Sequence, residues 1–96
     1  MKKTAIYPGT FDPITYGHID LIKKGIAIFD KLIVAVSEGG DKNHLFSTDE
    51  RIKLVKSSLF NDVKLPPKKI QIIKFSSLTT SLCKKYKSNI ILRGLR

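Results

Sequence analysis

Cysteine, acidic residues and long apolar runs are all scarce in this 96-residue sequence. The single cysteine, Cys83, excludes an internal disulfide and suits a reducing compartment. We therefore expect a cytoplasmic protein whose thiol packs in or beside the core rather than reacting. No apolar run approaches the roughly 18 residues that a membrane span needs, and the chain enters a predicted strand at once rather than a signal peptide. These absences predict a protein without a membrane partner.

Acidic side chains are outnumbered, with 8 Asp and Glu against 18 Lys and Arg and a formal net charge of +10. Such a surplus attracts anions, whether nucleic acid, acidic lipid headgroups or small phosphorylated substrates. The basic residues are scattered as pairs without a block of about five or six like charges, which is typical of a solvated surface. The sequence also lacks a recognisable recognition helix and aromatics interleaved on a sheet face. A nucleic-acid-binding module is therefore the less favoured alternative.

The composition, 42% apolar and 27% charged, is that of a globular protein, and residues 1–96 belong to no more than one small domain. Four short apolar runs are rich in β-branched or bulky residues, and most of them lack polar alternation. This pattern predicts strands buried on both faces of a parallel sheet. The runs cover residues 4–7, 32–36, 70–73 and 89–92.

Three helices are predicted between these strands, over residues 16–29, 48–60 and 77–87. In the first helix apolar residues recur on one face. At the start of the second helix, Ser47 and Glu50 have the spacing of a capping box. The order β-α-β-α-β-α-β calls for right-handed crossovers. We therefore predict a Rossmann-like, three-layer α/β/α fold with a parallel sheet.

Hydroxyl, glycine, histidine and cationic residues follow the predicted strands, whereas mostly charged residues, interpreted as ordinary surface, precede them. The segments that follow are residues 8–18, 37–44, 75–79 and 93–96. In an open parallel sheet these segments meet at the carboxyl edge of the strands, where ligands bind. The asymmetry predicts an active site at that edge.

The first of these segments has the features of a phosphate site. Pro8 and Gly9 are predicted to end the strand, and the residues from Thr15 onwards begin a helix whose free N–H groups and positive dipole end attract anions. Gly17 lets a phosphate approach the backbone closely. His18, in the first turn, can donate a hydrogen bond to a phosphoryl oxygen as charge builds. The alternative is a His18 that only caps the helix or packs.

The residues Thr15-x-Gly17-His18 resemble the T/HxGH signature of a nucleotidyltransferase superfamily. The longer string YPGTFDPITxGHID, residues 7–20, more specifically resembles bacterial phosphopantetheine adenylyltransferase. Two later strings, FSxxER at residues 46–51 and ILRGLR at residues 91–96, agree with that family in order and spacing. The resemblance spans essentially the whole chain.

The resemblance implies adenylyl transfer without a covalent enzyme intermediate. The phosphate of 4'-phosphopantetheine attacks the α-phosphorus of ATP in line, pyrophosphate leaves, and dephospho-CoA forms on the route to CoA. Catalysis then rests on positioning and charge stabilisation, with Mg²⁺ as the expected cofactor that helps to neutralise ATP. The family assembles as hexamers, so a homo-oligomer is expected of a full-length chain.

The resemblance also implies roles for individual residues. His18 is expected to stabilise the transition state, and Thr10 to orient the nucleophilic phosphate and contact ATP. Lys42 and Arg93 are expected to hold the phosphopantetheine end, and Thr79 to contact the pantetheine arm, where the family often has a larger apolar residue. The implied ATP-binding residues are Thr10, Phe11, Gly17, His18, Gly94, Leu95 and Arg96.

Length is the main departure from the family, whose members continue beyond the final string. We therefore expect little or no turnover from the 96 residues alone, and a non-catalytic fragment is one alternative. Another is a related adenylyl or cytidylyl transferase with a different acceptor, such as nicotinate mononucleotide or glycerol phosphate. A metal cluster of Asp12, His18 and His44 follows no ligand rule. Asp12 is instead interpreted as capping a turn, and His44 as a surface residue.

Overall fold

The computed structural model describes residues 3–38, 45–76, 83–88 and 90–93. Within them, four strands form one sheet, and every pairing is parallel. The strands are β1 (Thr4–Gly9), β2 (Lys31–Ser37), β3 (Ile70–Phe75) and β4 (Ile90–Ile91), and their order in the sheet is β3-β2-β1-β4. The four predicted strands are confirmed.

Two α-helices connect the first three strands, α1 (Tyr16–Ile28) between β1 and β2, and α2 (Thr48–Lys56) between β2 and β3. The predicted third helix, residues 77–87, lies mostly outside the described residues, although residues 83–85 are helical. In the part of the chain that the structure describes, no helix has both the length and the apolar character needed to cross a membrane.

The prediction of one continuous α-helix over residues 48–60 is wrong at its end. The segment Ser57–Asp62 is π-helical, and Val63 N–H bonds to the carbonyl five residues earlier, on Ser58. Leu59 of this segment is fully buried, and Phe60 packs against the core cluster. The predicted helical segment thus continues, but its last turns have the wider π form.

Helical segments lie on both faces of the sheet. On one face Ile22 of α1 and Val55 of α2 belong to the main core cluster, and on the other Cys83 and Tyr86 pack against a cluster that includes Ile33. The chain advances from β1 to β3 in one direction and then returns to the far side of β1. A right-handed crossover that reverses direction must change face. The structure therefore has the predicted three-layer, Rossmann-like arrangement.

The core is centred on β2, which is buried from Leu32 to Val36. Full burial of an aliphatic side chain contributes roughly 1.5–3 kcal/mol. The prediction of burial on both faces is wrong for β3 and β4, in which Ile70 alone is buried. These are the outer strands of the sheet as described, so each lacks a neighbour on one side.

The first strand ends at Gly9, as predicted, although both Pro8 and Gly9 still belong to it. The Ile6 carbonyl accepts from Leu92 N–H on the β4 side. By the two-residue period of a strand, the nitrogen of Pro8 faces the same side, where the ladder with β4 has already ended. A missing N–H is tolerated at such a free position.

The strand order reverses at β1, because β2 lies on one side of it and β4 on the other. In open α/β sheets a reversal of this kind opens a crevice at the carboxyl ends of the strands. Thr10 follows β1 directly, and Arg93 follows β4 after one intervening residue. The fold therefore directs both residues towards the same crevice.

Candidate functional site

A pocket of about 990 Å³ occupies this crevice. Its walls come from the turn after β1, the first turns of α1 and the segment after β4. The volume is at the upper end of the roughly 300–1,000 Å³ that is usual for small-molecule sites. Five of the predicted site residues line it, namely Thr10, Phe11, Gly17, His18 and Arg93. The fold thus brings together residues that are up to 83 positions apart in the sequence.

The N-terminus of α1 is closed by a reciprocal cap between Thr15 and His18. The Thr15 backbone N–H donates to Nδ1 of His18 over 2.9 Å, and the His18 backbone N–H donates to Oγ1 of Thr15 over 3.4 Å. Each bond satisfies a backbone donor that the helix leaves without a partner. The first turn contains no acidic residue, so the positive end of the helix dipole stays available to an anion.

This cap also determines which ring nitrogen of His18 carries the proton. Since Nδ1 accepts from the Thr15 amide, the neutral ring holds its hydrogen on Nε2. Partial burial lowers the pKa of His18 below its ordinary value of 6.5, because desolvation disfavours the charged ring. At neutral pH His18 is therefore an uncharged hydrogen-bond donor. It caps the helix and lines the pocket at the same time, so the two alternatives posed by the sequence are not exclusive.

The side chain of Phe11 lines the pocket and packs beside His18. It is 1% exposed, and its ring centroid lies 4.8 Å from that of His18 and 5.3 Å from that of Tyr7. Its φ of 50° lies in the left-handed region, which costs a residue with a Cβ roughly 1–2 kcal/mol. Gly9 makes room for the ring, because a Cβ at that position would stand 2.9 Å from Cε2 of Phe11.

The space in front of Gly17 is open. A Cβ built on Gly17 would meet Oγ1 of Thr15 at 3.7 Å, an ordinary contact. The fold itself does not require glycine here, in contrast to Gly9. The missing side chain instead leaves the backbone at the start of α1 accessible to a ligand in the pocket.

The other predicted site residues cannot be placed against this pocket. Lys42, Thr79, Gly94, Leu95 and Arg96 lie outside the described residues, as does His44. Their assignments stay predictions that rest on the family resemblance.

Asp12 engages backbone donors, as the turn-capping interpretation expected, but they lie 33 and 34 positions away rather than in its own turn, and Asp12 also lines the pocket. Its carboxylate accepts from the backbone N–H groups of Leu45 at 2.6 Å and Phe46 at 2.9 Å. Asp12 therefore joins the turn after β1 to the segment that precedes α2. This carboxylate is engaged by backbone donors.

Two residues next to the pocket were not predicted from the sequence. Tyr7, at the end of the buried part of β1, lines the pocket, and burial raises the pKa of its hydroxyl above 10.0. Arg51 is 1% exposed and reaches the carbonyl of Thr10. The sequence did carry a signal that Arg51 is buried, because Arg51 and Val55 are four residues apart and therefore lie on the same inner face of α2.

Metal ligands do not converge among the described residues. In residues 3–38, 45–76, 83–88 and 90–93, no three His, Cys, Asp or Glu side chains come together. The described residues therefore do not form a cage for a divalent cation by themselves.

Comparison with known proteins identifies relatives of this chain. The model of the cytidylyltransferase-like family matches residues 6–96. Phosphopantetheine adenylyltransferases from Pelagibacter ubique and from Buchnera aphidicola subsp. Schizaphis graminum are 65% and 48% identical over 96 residues. These matches cover 100% of this chain but 58% and 56% of the two relatives. The chain thus spans little more than half the length of these relatives.

Solved structures agree with this relationship. The nicotinic acid mononucleotide adenylyltransferase of Plasmodium falciparum, complexed with NaAD, superposes with a TM-score of 0.77 at 26% identity, over 91% of this chain and 46% of that one. A bifunctional NMN adenylyltransferase/ADP ribose pyrophosphatase from Francisella tularensis shares the fold, with a TM-score of 0.78 at 18% identity over 100% of this chain and 33% of that one. Because the family model covers nearly every residue, the chain belongs to the cytidylyltransferase-like family.

Proposed function

We propose that this chain is the N-terminal part of a single nucleotidyltransferase domain that acts as a phosphopantetheine adenylyltransferase. The reaction joins ATP and 4'-phosphopantetheine, reversibly, into dephospho-CoA and pyrophosphate. A phosphate oxygen of 4'-phosphopantetheine forms a bond to the α-phosphorus of ATP. The bond from that phosphorus to the bridging oxygen breaks, and pyrophosphate leaves with the electron pair. The cytoplasm is the proposed location.

One observation carries the proposal: Thr10, His18 and Arg93 line a single pocket at the N-terminus of α1. Together they supply a hydroxyl, a neutral ring donor and a guanidinium around one space. This set suits a reaction in which the protein positions phosphates and stabilises charge without forming a covalent bond. The 65% identity to the Pelagibacter ubique enzyme supports the assignment of the acceptor.

His18 has the central role in this mechanism. Its Nδ1 is held by the Thr15 amide, which leaves Nε2–H to donate to an α-phosphate oxygen as negative charge accumulates. The depressed pKa of His18 keeps the ring uncharged. It therefore acts as a fixed hydrogen-bond donor and exchanges no proton with the substrates.

The remaining proposed roles rest on position for Gly17, Thr10 and Arg93 and on the family resemblance for the residues outside the described ranges. Gly17 leaves the first-turn amides open to the ATP phosphates. Thr10 is exposed directly after the carboxyl end of β1 and is proposed to orient the attacking phosphate. Arg93 is proposed to hold the phosphate of 4'-phosphopantetheine with its planar fork, together with Lys42. Thr79 is proposed for the pantetheine arm, and the ATP-site proposal further includes Phe11, Gly94, Leu95 and Arg96.

Mg²⁺ and self-association complete the proposal. Mg²⁺ usually binds through substrate phosphates and one or two carboxylates, so it would accompany ATP and neutralise charge on the triphosphate. A Francisella tularensis structure of this fold is complexed with AMP and a manganese ion. Homo-oligomerisation is proposed for the longer protein.

Pyrophosphate release tests the reaction. The 96-residue chain is compared with a chimera in which the remainder of the Pelagibacter ubique relative follows Arg96. We expect the chimera to release pyrophosphate only when ATP and 4'-phosphopantetheine are both present, and the chain alone to show little turnover. Comparable rates from the two proteins would refute the expectation for the chain alone.

A nicotinate mononucleotide adenylyltransferase is the second candidate, because solved structures with that name superpose well on this chain. It would keep Gly17 and His18 and change the acceptor. Replacing 4'-phosphopantetheine by nicotinate mononucleotide in the chimera assay separates the two. The proposed acceptor is wrong if nicotinate mononucleotide supports the faster release of pyrophosphate.

A further inference from the structure

Arg51, in the first turns of α2, is an unusual member of the core. It is 1% exposed, and its side chain is among the largest that the described residues bury completely. A buried guanidinium is tolerated only where its donors find partners. The identity of those partners suggests what the residue does.

The guanidinium of Arg51 donates to three backbone carbonyls and one hydroxyl. Nη1 reaches the carbonyls of Thr10 at 2.8 Å and Ser37 at 2.9 Å. Nε reaches the carbonyl of Phe46 at 3.2 Å, and Nη2 reaches Oγ1 of Thr48 at 2.9 Å. One planar fork thus fixes the carboxyl ends of β1 and β2 to the start of α2.

Asp12 holds the same turn from its other end. Its carboxylate accepts from the Phe46 N–H, while the Phe46 carbonyl accepts from Arg51. The turn from Thr10 to Asp12 is therefore clamped on both sides to the segment before α2. Such paired charge-assisted bonds are stronger and more directional than neutral ones.

Phe11 lies between the two clamped residues and needs such support. Its φ of 50° is unfavourable for a residue with a large side chain, and strained backbone persists only where its surroundings hold it. The Phe11 ring in turn packs 4.8 Å from the His18 ring. A continuous set of contacts therefore runs from Arg51 through the Thr10 carbonyl and Phe11 to His18.

We propose that Arg51 is a positioning residue, which holds the Thr10–Phe11 turn in its left-handed conformation and through it orients the imidazole of His18. The consequence for catalysis rests on the proposed function. The conformation of the Thr10–Phe11 turn and the orientation of the His18 ring do not depend on the proposed function, because they concern contacts within the chain. Lysine cannot replace arginine fully here, since an ammonium lacks the fork that reaches two strand ends together.

NMR spectroscopy of the 96-residue chain tests the structural part. The HN–Hα coupling of Phe11 reports its φ, and the ring-proton shifts of His18 report the Phe11 ring current. We expect Arg51→Met to change both signals strongly and Arg51→Lys to change both partially. Val55→Ala is the matched control, because it removes buried methyl groups from the same core cluster and the same helix but none of the hydrogen bonds that hold the turn. We expect it to lower stability and leave both signals in place.

Nucleotide affinity tests the functional part by titration with ATP and with coenzyme A. A misplaced catalytic group can cost up to about a hundredfold, and we expect Arg51→Lys to weaken ATP binding about tenfold while Val55→Ala leaves it unchanged. If Arg51→Met does not fold, Arg51→Lys and Asp12→Asn test the proposal instead. Asp12→Asn weakens the hold on the turn at its other end. Unchanged Phe11 and His18 signals in the folded variants, or equal changes in Val55→Ala, would overturn the proposal. Failure of the unsubstituted chain to bind any nucleotide would instead count against the proposed function.

Discussion

The helices α1 and α2 begin with the same hydrogen-bonded cap but differ in what the cap leaves exposed. At α1, Thr15 and His18 exchange hydrogen bonds between side chain and backbone, and at α2 Ser47 and Glu50 do the same. The third helical position holds an imidazole in the first case and a carboxylate in the second. One is partly buried at the pocket, and the other is exposed.

The identity of this third residue decides whether a helix start can receive an anion. The first turn of α2 carries Asp49 and Glu50, whose carboxylates compensate the helix dipole. The first turn of α1 has no acidic residue, and His18 satisfies the Thr15 amide without adding negative charge. The cap is therefore structural at α2, whereas at α1 it also leaves the positive end of the helix open to an anion.

The largest effect is expected when the α1 cap is converted into the α2 cap by His18→Glu. Glutamate keeps the capping box, so the chain should fold with a melting temperature close to that of the unsubstituted protein. Its carboxylate would replace the neutral donor and repel phosphate. We expect turnover of the chimera to fall at least about 100-fold, as for loss of a transition-state donor, and ATP binding by calorimetry to weaken.

Glu50→Gln is the matched control at α2, because glutamine also accepts the bond from the Ser47 backbone. It should leave turnover unchanged. Retention of full activity by His18→Glu would show that the charge and donor at this helix start are irrelevant to the reaction.

The sequence predicted the α2 cap from two residues, because serine and glutamate at this spacing have few other roles. It predicted the phosphate site at α1 for a different reason, the association of Gly17 and His18 after a strand. It did not reveal that His18 would do both, because the ring orientation depends on Phe11. That ring in turn depends on the backbone of a turn held by Arg51, a contact across 41 positions.

Other failures of the sequence reasoning have the same origin in tertiary structure. Apolar runs predicted β3 as correctly as β2, but they could not say which strand would be central and therefore buried on both sides. The π-helical form of the segment after α2 was not indicated by the apolar periodicity either. Element order and the site edge were predictable, whereas side-chain partners were not.

A smaller effect is expected from removal of the N-cap hydroxyls by Thr15→Ala and Ser47→Ala. Each variant loses one side-chain acceptor, which costs about 1 kcal/mol and lowers the melting temperature by roughly 4–8 °C in a domain of this size. Only Thr15→Ala should also weaken ATP binding, because it removes the 3.1 Å contact between the Thr15 hydroxyl and Nδ1 of His18. The effect should be only a few-fold, because the backbone N–H of residue 15 still donates to Nδ1. Equal weakening of ATP binding in both variants would contradict the distinction between the caps.

The smallest expected effect is a difference between the two caps in how the stability of the fold depends on pH. Folding lowers the pKa of His18 from 6.5, mainly by burial, and that of Glu50 from 4.5, mainly through its hydrogen bond from the Ser47 backbone. In both cases the unfolded chain takes up the proton first, so each group stabilises the fold at higher pH and loses this contribution as the pH falls through its folded pKa. The loss should begin just below pH 6.5 for His18 and below pH 4.5 for Glu50. Thermal unfolding from neutral pH downwards checks this: His18→Gln, which keeps an acceptor but cannot titrate, should flatten the first decline, and Glu50→Gln the second. A first decline that persists unchanged in His18→Gln would mean that a group other than His18 causes it.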